Sequence, residues 1–432
     1  MLGARRRTRP ENGMTLDFAP ARLLAPYRVL DLTDETALLA GRILADLGAD
    51  VIQVEPTGGS SARRVPPLAG DEVPALDRSA YWSAYAANKR GVAIDIAHPA
   101  GRELLLRLAA SADFLIESAP PGEMARLGLD YKALEGVNPA LIHVSVTPFG
   151  STGPKAHWAS TDITLWGSGG PLLPQRDDGR PPVRISAPQA HRHAAADAAG
   201  GALIAHFARL CDGKGQHVDI SVQQSVMEAT LSRVLSSLIG DVDTLAAGGV
   251  DLPLPTKWEV RDGYVSLTVA MGTSTGHFSN NLMQWIHEEG GCRDEIAAID
   301  WRAMQRVTGE GELDPELLAE VEEVIRAFVA DKTKSELMDA AVQRKLMVTP
   351  VFTIAEIAAS KHLEARDFWQ APPDPPLPGT RLPAFPAKVD GATLPVRRPA
   401  PRLGQHTREI LVDELGVDDR EYEQLLRDGV VG

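Results

Sequence analysis

From Tyr27 to Val146 the chain keeps returning to one device: a short run rich in valine, isoleucine and leucine, then a stretch of helical period, then another apolar run. YRVLDL (Tyr27–Leu32) and ADVIQVE (Ala49–Glu55) read as strands, and ALLAGRILADL (Ala37–Leu47) between them reads as a helix closed by Gly48. A compact strand–helix–strand unit implies a right-handed crossover and a parallel strand pair. The alternation continues with a strand in NKRGVAIDI (Asn88–Ile96), a helix over Ala100–Ala112, and a strand over Phe114–Glu117. Short helices near Met124–Leu127 and Leu134 follow, then a strand over Ala140–Val146. Such a chain belongs to the α/β class, with a mostly parallel open sheet. The first turn, Thr33–Thr36, holds no GxGxxG. A dinucleotide site is therefore not supported, although Glu55 stands where a ribose-binding acid would.

A second stretch, Pro182–Val226, concentrates the polar chemistry. A histidine-bearing segment runs into an alanine- and glycine-rich helix, then the turn GKGQ (Gly213–Gln216) and a short strand. Ala199, Leu203, Phe207 and Cys211 recur at a four-residue step beside Ile204 and Ala208, which predicts one buried face with Cys211 in the core. His191 falls where the helix begins, and free amide donors at such a terminus favour an anionic ligand.

After Val226 the pattern changes. Met227–Ile239 reads as a helix, Asp241–Pro255 is rich in glycine and proline, and Trp258–Val269 reads as a hairpin turning at Asp262–Gly263. Helices are expected near Asn281–His287, Trp301–Arg306, Pro315–Val329 and Lys334–Ala341. The expected organisation is a loose basic tail over 1–20, a large Rossmann-like domain over 21–226, and a smaller inserted domain over 227–340. A segment over 341–432 then returns to the large domain. Its proline-rich run Pro372–Pro401 fits an extended arm, and Thr407–Leu426 reads as one or two helices packing back.

Two domains suit 432 residues, and a formal net charge of -14 argues against a nucleic-acid partner. The only cysteines, Cys211 and Cys292, give no disulfide framework and no CxxC site, so a reducing cytoplasm is the expected home. No apolar run approaches the roughly eighteen residues of a membrane span. Arg63 and Arg64 in one loop, and Lys89 and Arg90 before a strand, raise the expectation of a polyphosphate ligand at strand-edge loops.

Taken together, YRVLDL, AGRILADLGADVIQVE, NKRGVAIDI, GEMARLGLDYKAL, NPALIHVSVTPFGSTGP, DGKGQHVDIS, RDGYVSL, VTPVFTIAEI, HLEARDFW and LGQHTREIL resemble the family III CoA-transferases. This carnitine/bile-acid group also contains the alpha-methylacyl-CoA racemases. The matches keep the family's order from about residue 27 to the C-terminus. The resemblance implies a large α/β domain built from both ends of the chain, a small middle domain and an interlocked homodimer. It also implies coenzyme A or an acyl-CoA as substrate, with no tightly bound cofactor. Phosphate contacts would come from Arg63, Lys89 and Arg90, beside Asn88. The adenine slot would lie at Val54, Glu55 and Pro56, and the pantetheine arm would lead toward Phe149 and Gly150.

At one position the resemblance breaks. The transferases place a nucleophilic aspartate just before the long helix, in a DxxxG pattern at a fixed distance from the Gln of GxGQ. Gln216 fixes that position here as His191, with Ala195 in place of the glycine. The racemases add a histidine, and Thr161 stands in its place, next to a retained Asp162. His157 is only a few residues away.

The resemblance as a whole implies transfer of CoA between carboxylic acids, with racemase, isomerase or lyase chemistry and a non-catalytic role as alternatives, and three readings of the altered position follow. His191 attacks the thioester or serves as base on the α-proton of an acyl-CoA. Alternatively, the chain binds acyl-CoA without catalysing, or partners an active paralogue in a heteromer. In the third reading, Asp162 or Asp197 supplies a carboxylate by local rearrangement and CoA transfer between carboxylic acids survives. Asp162 also suits a cap on the helix that follows it. His193 and Asp197, four apart, predict a side-chain pair. His191, His193 and Asp197 make a poor metal set, and no metal is expected.

Overall fold

The computed structural model describes residues 22–172, 180–228, 254–304 and 314–432. Its centre is a six-stranded sheet in the order β3-β2-β1-β4-β5-β6. The strands are β1 (Arg28–Leu32), β2 (Asp50–Glu55), β3 (Arg90–Ala93), β4 (Phe114–Glu117), β5 (Ile142–Thr147) and β6 (His217–Ser221). Every pairing is parallel, which gives the open α/β sheet expected from the sequence.

β3, β4 and β5 are buried along their whole length, as strands covered on both faces must be. Successive residues therefore feed opposite cores. Val29, Val51 and Phe114 pack with α1 (Leu38–Asp46) and the long helix Ala190–Asp212. Leu30, Ile52 and Leu115 pack with the helix Pro99–Ala109 and with Ile410 and Tyr422 from the far end of the chain.

α1 lies unusually close to β1. A Cβ at Gly41 would stand 1.8 Å from Asp31 Oδ2, so only glycine admits the buried Asp31 carboxylate there. That carboxylate accepts from Lys89 Nζ at 2.7 Å and, through Oδ1, from the Thr33 amide and hydroxyl, fixing the loop that leaves β1.

The long helix corrects a sequence expectation. Its sheet-facing side is alanine: Ala190, Ala194, Ala195, Ala198, Ala199, Ala202 and Ala205 are buried. Ile204 is 74% exposed and Phe207 72% exposed, and Cys211 is exposed instead of lying in a core. The helix packs too tightly for large side chains on that side, and even a Cβ at Gly201 would meet Val218 Cγ1 at 2.9 Å.

Residues 22–172, 183–228 and 363–432 form one compact unit, and 254–304 and 314–362 belong to a second. The second carries an antiparallel sheet of Lys257–Val260, Gly263–Leu267 and Val348–Val351. Helices Gly276–Glu288, Pro315–Ala330 and Lys334–Arg344 contribute to its core. This unit runs past the expected boundary at 340, because Val348–Val351 pairs with Gly263–Leu267. The expected helix Met227–Ile239 lies outside the described residues beyond Glu228, and the one at Trp301–Arg306 beyond Met304; Trp301–Ala303 is a turn.

The proline-rich run forms two-stranded ladders, Trp369–Gln370 with Leu382–Pro383 and Lys388–Val389 with Ala392–Thr393. It ends against the large unit, where the Pro401 carbonyl accepts from Arg63 and from the Trp82 indole. The C-terminal pattern becomes a π-helix at Glu409–Glu414 and an α-helix at Asp419–Arg427.

Candidate active site

Between β1 and β4 the strand order reverses, and open α/β sheets bind ligands beyond the carboxyl ends of the strands at such a point. A cleft of about 380 Å³ opens there. Its walls come from Thr36 after β1, Ser118–Pro121 after β4, Val146–Pro148 at the end of β5, the loop Ala156–Ser160, Val222, and His191.

The walls are cross-tied. Asp34 accepts from the Thr36 amide and from Ser118 Oγ at 3.1 Å, and its own amide donates to Ser118 Oγ. The Glu35 carbonyl accepts from Tyr81 OH at 2.8 Å and from Arg192 at 3.1 Å. Arg192 also lies 4.8 Å from the ring centres of both Tyr81 and Tyr85. The first turn of the long helix is thereby anchored to the loop leaving β1.

His191 sits in that turn, half-buried on the cleft wall. Burial pulls its pKa below the ordinary histidine value and the Arg192 charge adds to the effect, while Asp162, Asp34 and Glu35 oppose them more weakly. The imidazole is thus neutral at pH 7.

Asp162 does not line the cleft. It opens the helix Asp162–Gly169, and its Oδ1 accepts from the backbone amides of Gln189 and Ala190 at 2.8 and 2.9 Å. It therefore caps the neighbouring long helix from outside, with Arg184 3.7 Å from Oδ2, and not the helix that follows it, which Thr161 caps instead. Asp197 lies further along the helix and away from the cleft lining, and the expected His193–Asp197 pair is not formed. His193 meets the Trp166 ring edge-on at 6.0 Å instead.

The residues expected to hold coenzyme A are scattered. Arg63 is fully buried: Glu55 grips it at 2.6 and 2.8 Å, Asp77 stands at 3.3 Å, and the Trp82 ring lies 3.9 Å away. Lys89 is fully buried between Asp31, Gln53 and the Leu38 carbonyl. Neither offers a charge to a phosphate, because each is already met by carboxylates inside the fold.

Arg90 starts β3 at the opposite end of the sheet and pairs with Asp50, Glu409 and Glu414. Asn88, in the left-handed region at φ 66°, bonds Asp46 and the backbone of Arg397 and Arg398. Val54 is interior to β2, Glu55 serves Arg63, and Pro56 is exposed at the strand end. Phe149 does not line the cleft and meets the lining residue Trp158 edge-on, with ring centres 6.4 Å apart. Gly150, at φ 90°, makes the turn that lets Ser151 reach Asp219.

Sequence reasoning missed Ser118, Pro120 and Pro121, although a strand-end loop beside the order reversal was the signal to follow. Among the described residues lining the cleft there is no aspartate or glutamate.

The chain belongs to CoA-transferase family III, whose model matches residues 24–407. Enzymes of this family act on CoA thioesters. The chain is 34% identical over 411 residues to the succinyl-CoA:(R)-benzylsuccinate CoA-transferase subunit BbsE of Thauera aromatica, covering 94% of this chain and 97% of that protein. It is 28% identical over 412 residues to the succinyl-CoA–D-citramalate CoA-transferase of Chloroflexus aurantiacus, covering 94% and 97%. The crystal structure of a CAIB/BAIF family protein from Brucella suis superposes with a TM-score of 0.77 at 26% identity, covering 90% of this chain and 98% of that one.

Proposed function

We propose that this chain is one of two unlike subunits of a cytoplasmic CoA-transferase that moves CoA between carboxylic acids, with acyl-CoA as the donor. The observation carrying this reading is the composition of the cleft: a neutral imidazole at the helix terminus and no carboxylate among the described lining residues. Transfer through an aspartate stores the acyl group as a mixed anhydride after the CoA thiolate leaves. An acyl-imidazole is more readily lost to water, which makes His191 a poor store for a second half-reaction. Asp162 and Asp34 are held by backbone amides and by side-chain hydroxyls. In this reading the nucleophilic carboxylate comes from a paralogous chain. The likeness to a relative named as a subunit supports that assignment.

Mixing experiments test it. The purified chain, a paralogue, and both together are given succinyl-CoA and labelled acceptor acid, and acyl adducts are trapped with hydroxylamine. Transfer is expected only in the mixture, with the adduct on the paralogue. CoA transfer by this chain alone, with a trapped acyl group at His191, overturns the reading. The neutral imidazole favours one second reading, His191 as base on an α-proton. Deuterium incorporated from D2O at the α-carbon of an acyl-CoA by the chain alone, and not by His191→Ala, would select it.

A further inference from the structure

The large unit has a second pocket at the opposite, amino-terminal end of β1, β2 and β3, with a volume of about 390 Å³. Five arginines line it against three carboxylates, an excess of two positive charges. The carboxylates are already committed. Asp50 and Glu414 each bridge Arg28 and Arg90, and Glu409 pairs with Arg90. Arg22, Arg397 and Arg398 therefore face the pocket with no carboxylate partner among the described residues. Arg397 is half-buried, with one guanidinium nitrogen on the Ala45 carbonyl at the end of α1. Burial and its two like-charged neighbours, Arg22 and Arg398, press its pKa down, opposed more weakly by Asp46 and Asp50.

We propose that this pocket binds a doubly charged oxyanion held by Arg22, Arg397 and Arg398, far from the cleft that takes the thioester. Three guanidinium forks lining one pocket without an ion-pair partner among the described residues match the oxygens of a phosphate ester or a dicarboxylate, and two negative charges cancel the excess. Asn88 holds the backbone of Arg397 and Arg398 in place just before β3, so the chain that carries two of the three forks is fixed before the ligand arrives. Bound there, the anion joins the C-terminal arm to the turn after α1.

Calorimetry and thermal unfolding of the full chain test the assignment, and a variant of the pocket arginines, which do not line the cleft, separates the two sites. Inorganic phosphate at pH 8, where it is the dianion, is titrated in one arm and succinate in the other, against sodium chloride of matched ionic strength. One of them is expected to raise the melting temperature saturably where chloride does not, and the arm that responds identifies phosphate or dicarboxylate as the source. The double variant Arg22→Gln/Arg398→Gln should weaken that binding at least tenfold. Both side chains are exposed, so the ligand-free melting temperature should stay put. Arg398→Lys, which keeps the charge and loses the fork, should fall between. No saturable response in either arm, or one that the double variant retains in full, overturns the proposal.

Discussion

Replacing Lys89 by methionine separates two roles for a residue that the sequence places beside a phosphate-binding strand edge. The ammonium is fully buried, 2.7 Å from Asp31 Oδ2 and 2.9 Å from both Gln53 Oε1 and the Leu38 carbonyl. Burial lowers the Lys89 pKa, and Asp31 works against that by favouring the charged form. Lys89→Met leaves the Asp31 carboxylate buried with its counter-ion gone, a change that costs about 3–5 kcal/mol. At roughly 2–4 °C per kcal/mol for a unit of this size, the melting temperature should drop by roughly 10 °C. Adding Asp31→Asn should recover much of the loss, because the amide oxygen still accepts from Thr33 while the orphaned charge is removed. Thermal unfolding gives the first quantity, and CoA titration of the folded variant gives the second, expected to be unchanged. A melting temperature within about 2 °C of the parent, combined with a tenfold loss of CoA affinity, would refute the reasoning and put the ammonium on a phosphate.

Asp162→Ala should cost about 1–3 kcal/mol, because the Gln189 and Ala190 amides lose their acceptor; urea unfolding checks this, and CoA affinity should fall with it as the turn bearing His191 loosens. His143, buried with neither ring nitrogen hydrogen-bonded, has its pKa pushed down to about 3 by burial and then by His217. The unfolded chain takes up this proton near pH 6.5 and the fold resists it, so stability is full above 6.5 and declines by about 1.4 kcal/mol per pH unit below it, toward pH 3. His143→Leu should match the parent in urea midpoint at pH 7.5 and exceed it at pH 5; an unchanged difference between the two pH values would count against this. His191→Asp restores a carboxylate to the cleft wall, and hydroxylamine should then trap an acyl group on this chain alone. An untouched chain would show that the helix terminus does not present that residue to the thioester.

Much of the parallel sheet was legible because its strands are buried on both faces, so the apolar runs stop where the strands stop: Phe114–Glu117 was expected and found. The long helix was legible as a helix but not in its orientation. Counting large apolar residues picks the face with Phe207 and Cys211, whereas close approach to the sheet selects alanines. His191 was legible from its distance to Gln216, and the structure places it on the cleft wall. The basic residues were misread because no local pattern shows which carboxylates turn inward: Glu55 is only eight residues from Arg63, while the partners of Lys89 and Arg90 are remote. Arg63 meets the Pro401 carbonyl and Arg90 meets Glu409 and Glu414, neighbours that no local pattern announces. That no carboxylate is among the described residues lining the cleft needed the three-dimensional lining, since Asp34, Glu35 and Asp162 all lie close to lining residues in sequence.

The return of residues 363–432 to the large unit also sets an order of events during synthesis. Arg63, Trp82 and Arg90 are made early, yet acceptors they need arrive with Pro401, Glu409 and Glu414, after the whole smaller unit has left the ribosome. Until then Arg63 and Arg90 sit beside β2 and β3 without their full set of partners, and closing so long a loop is slow. A nascent chain stalled before residue 397 should therefore hold a loosened sheet edge open to chaperones, and release it only when the arm docks.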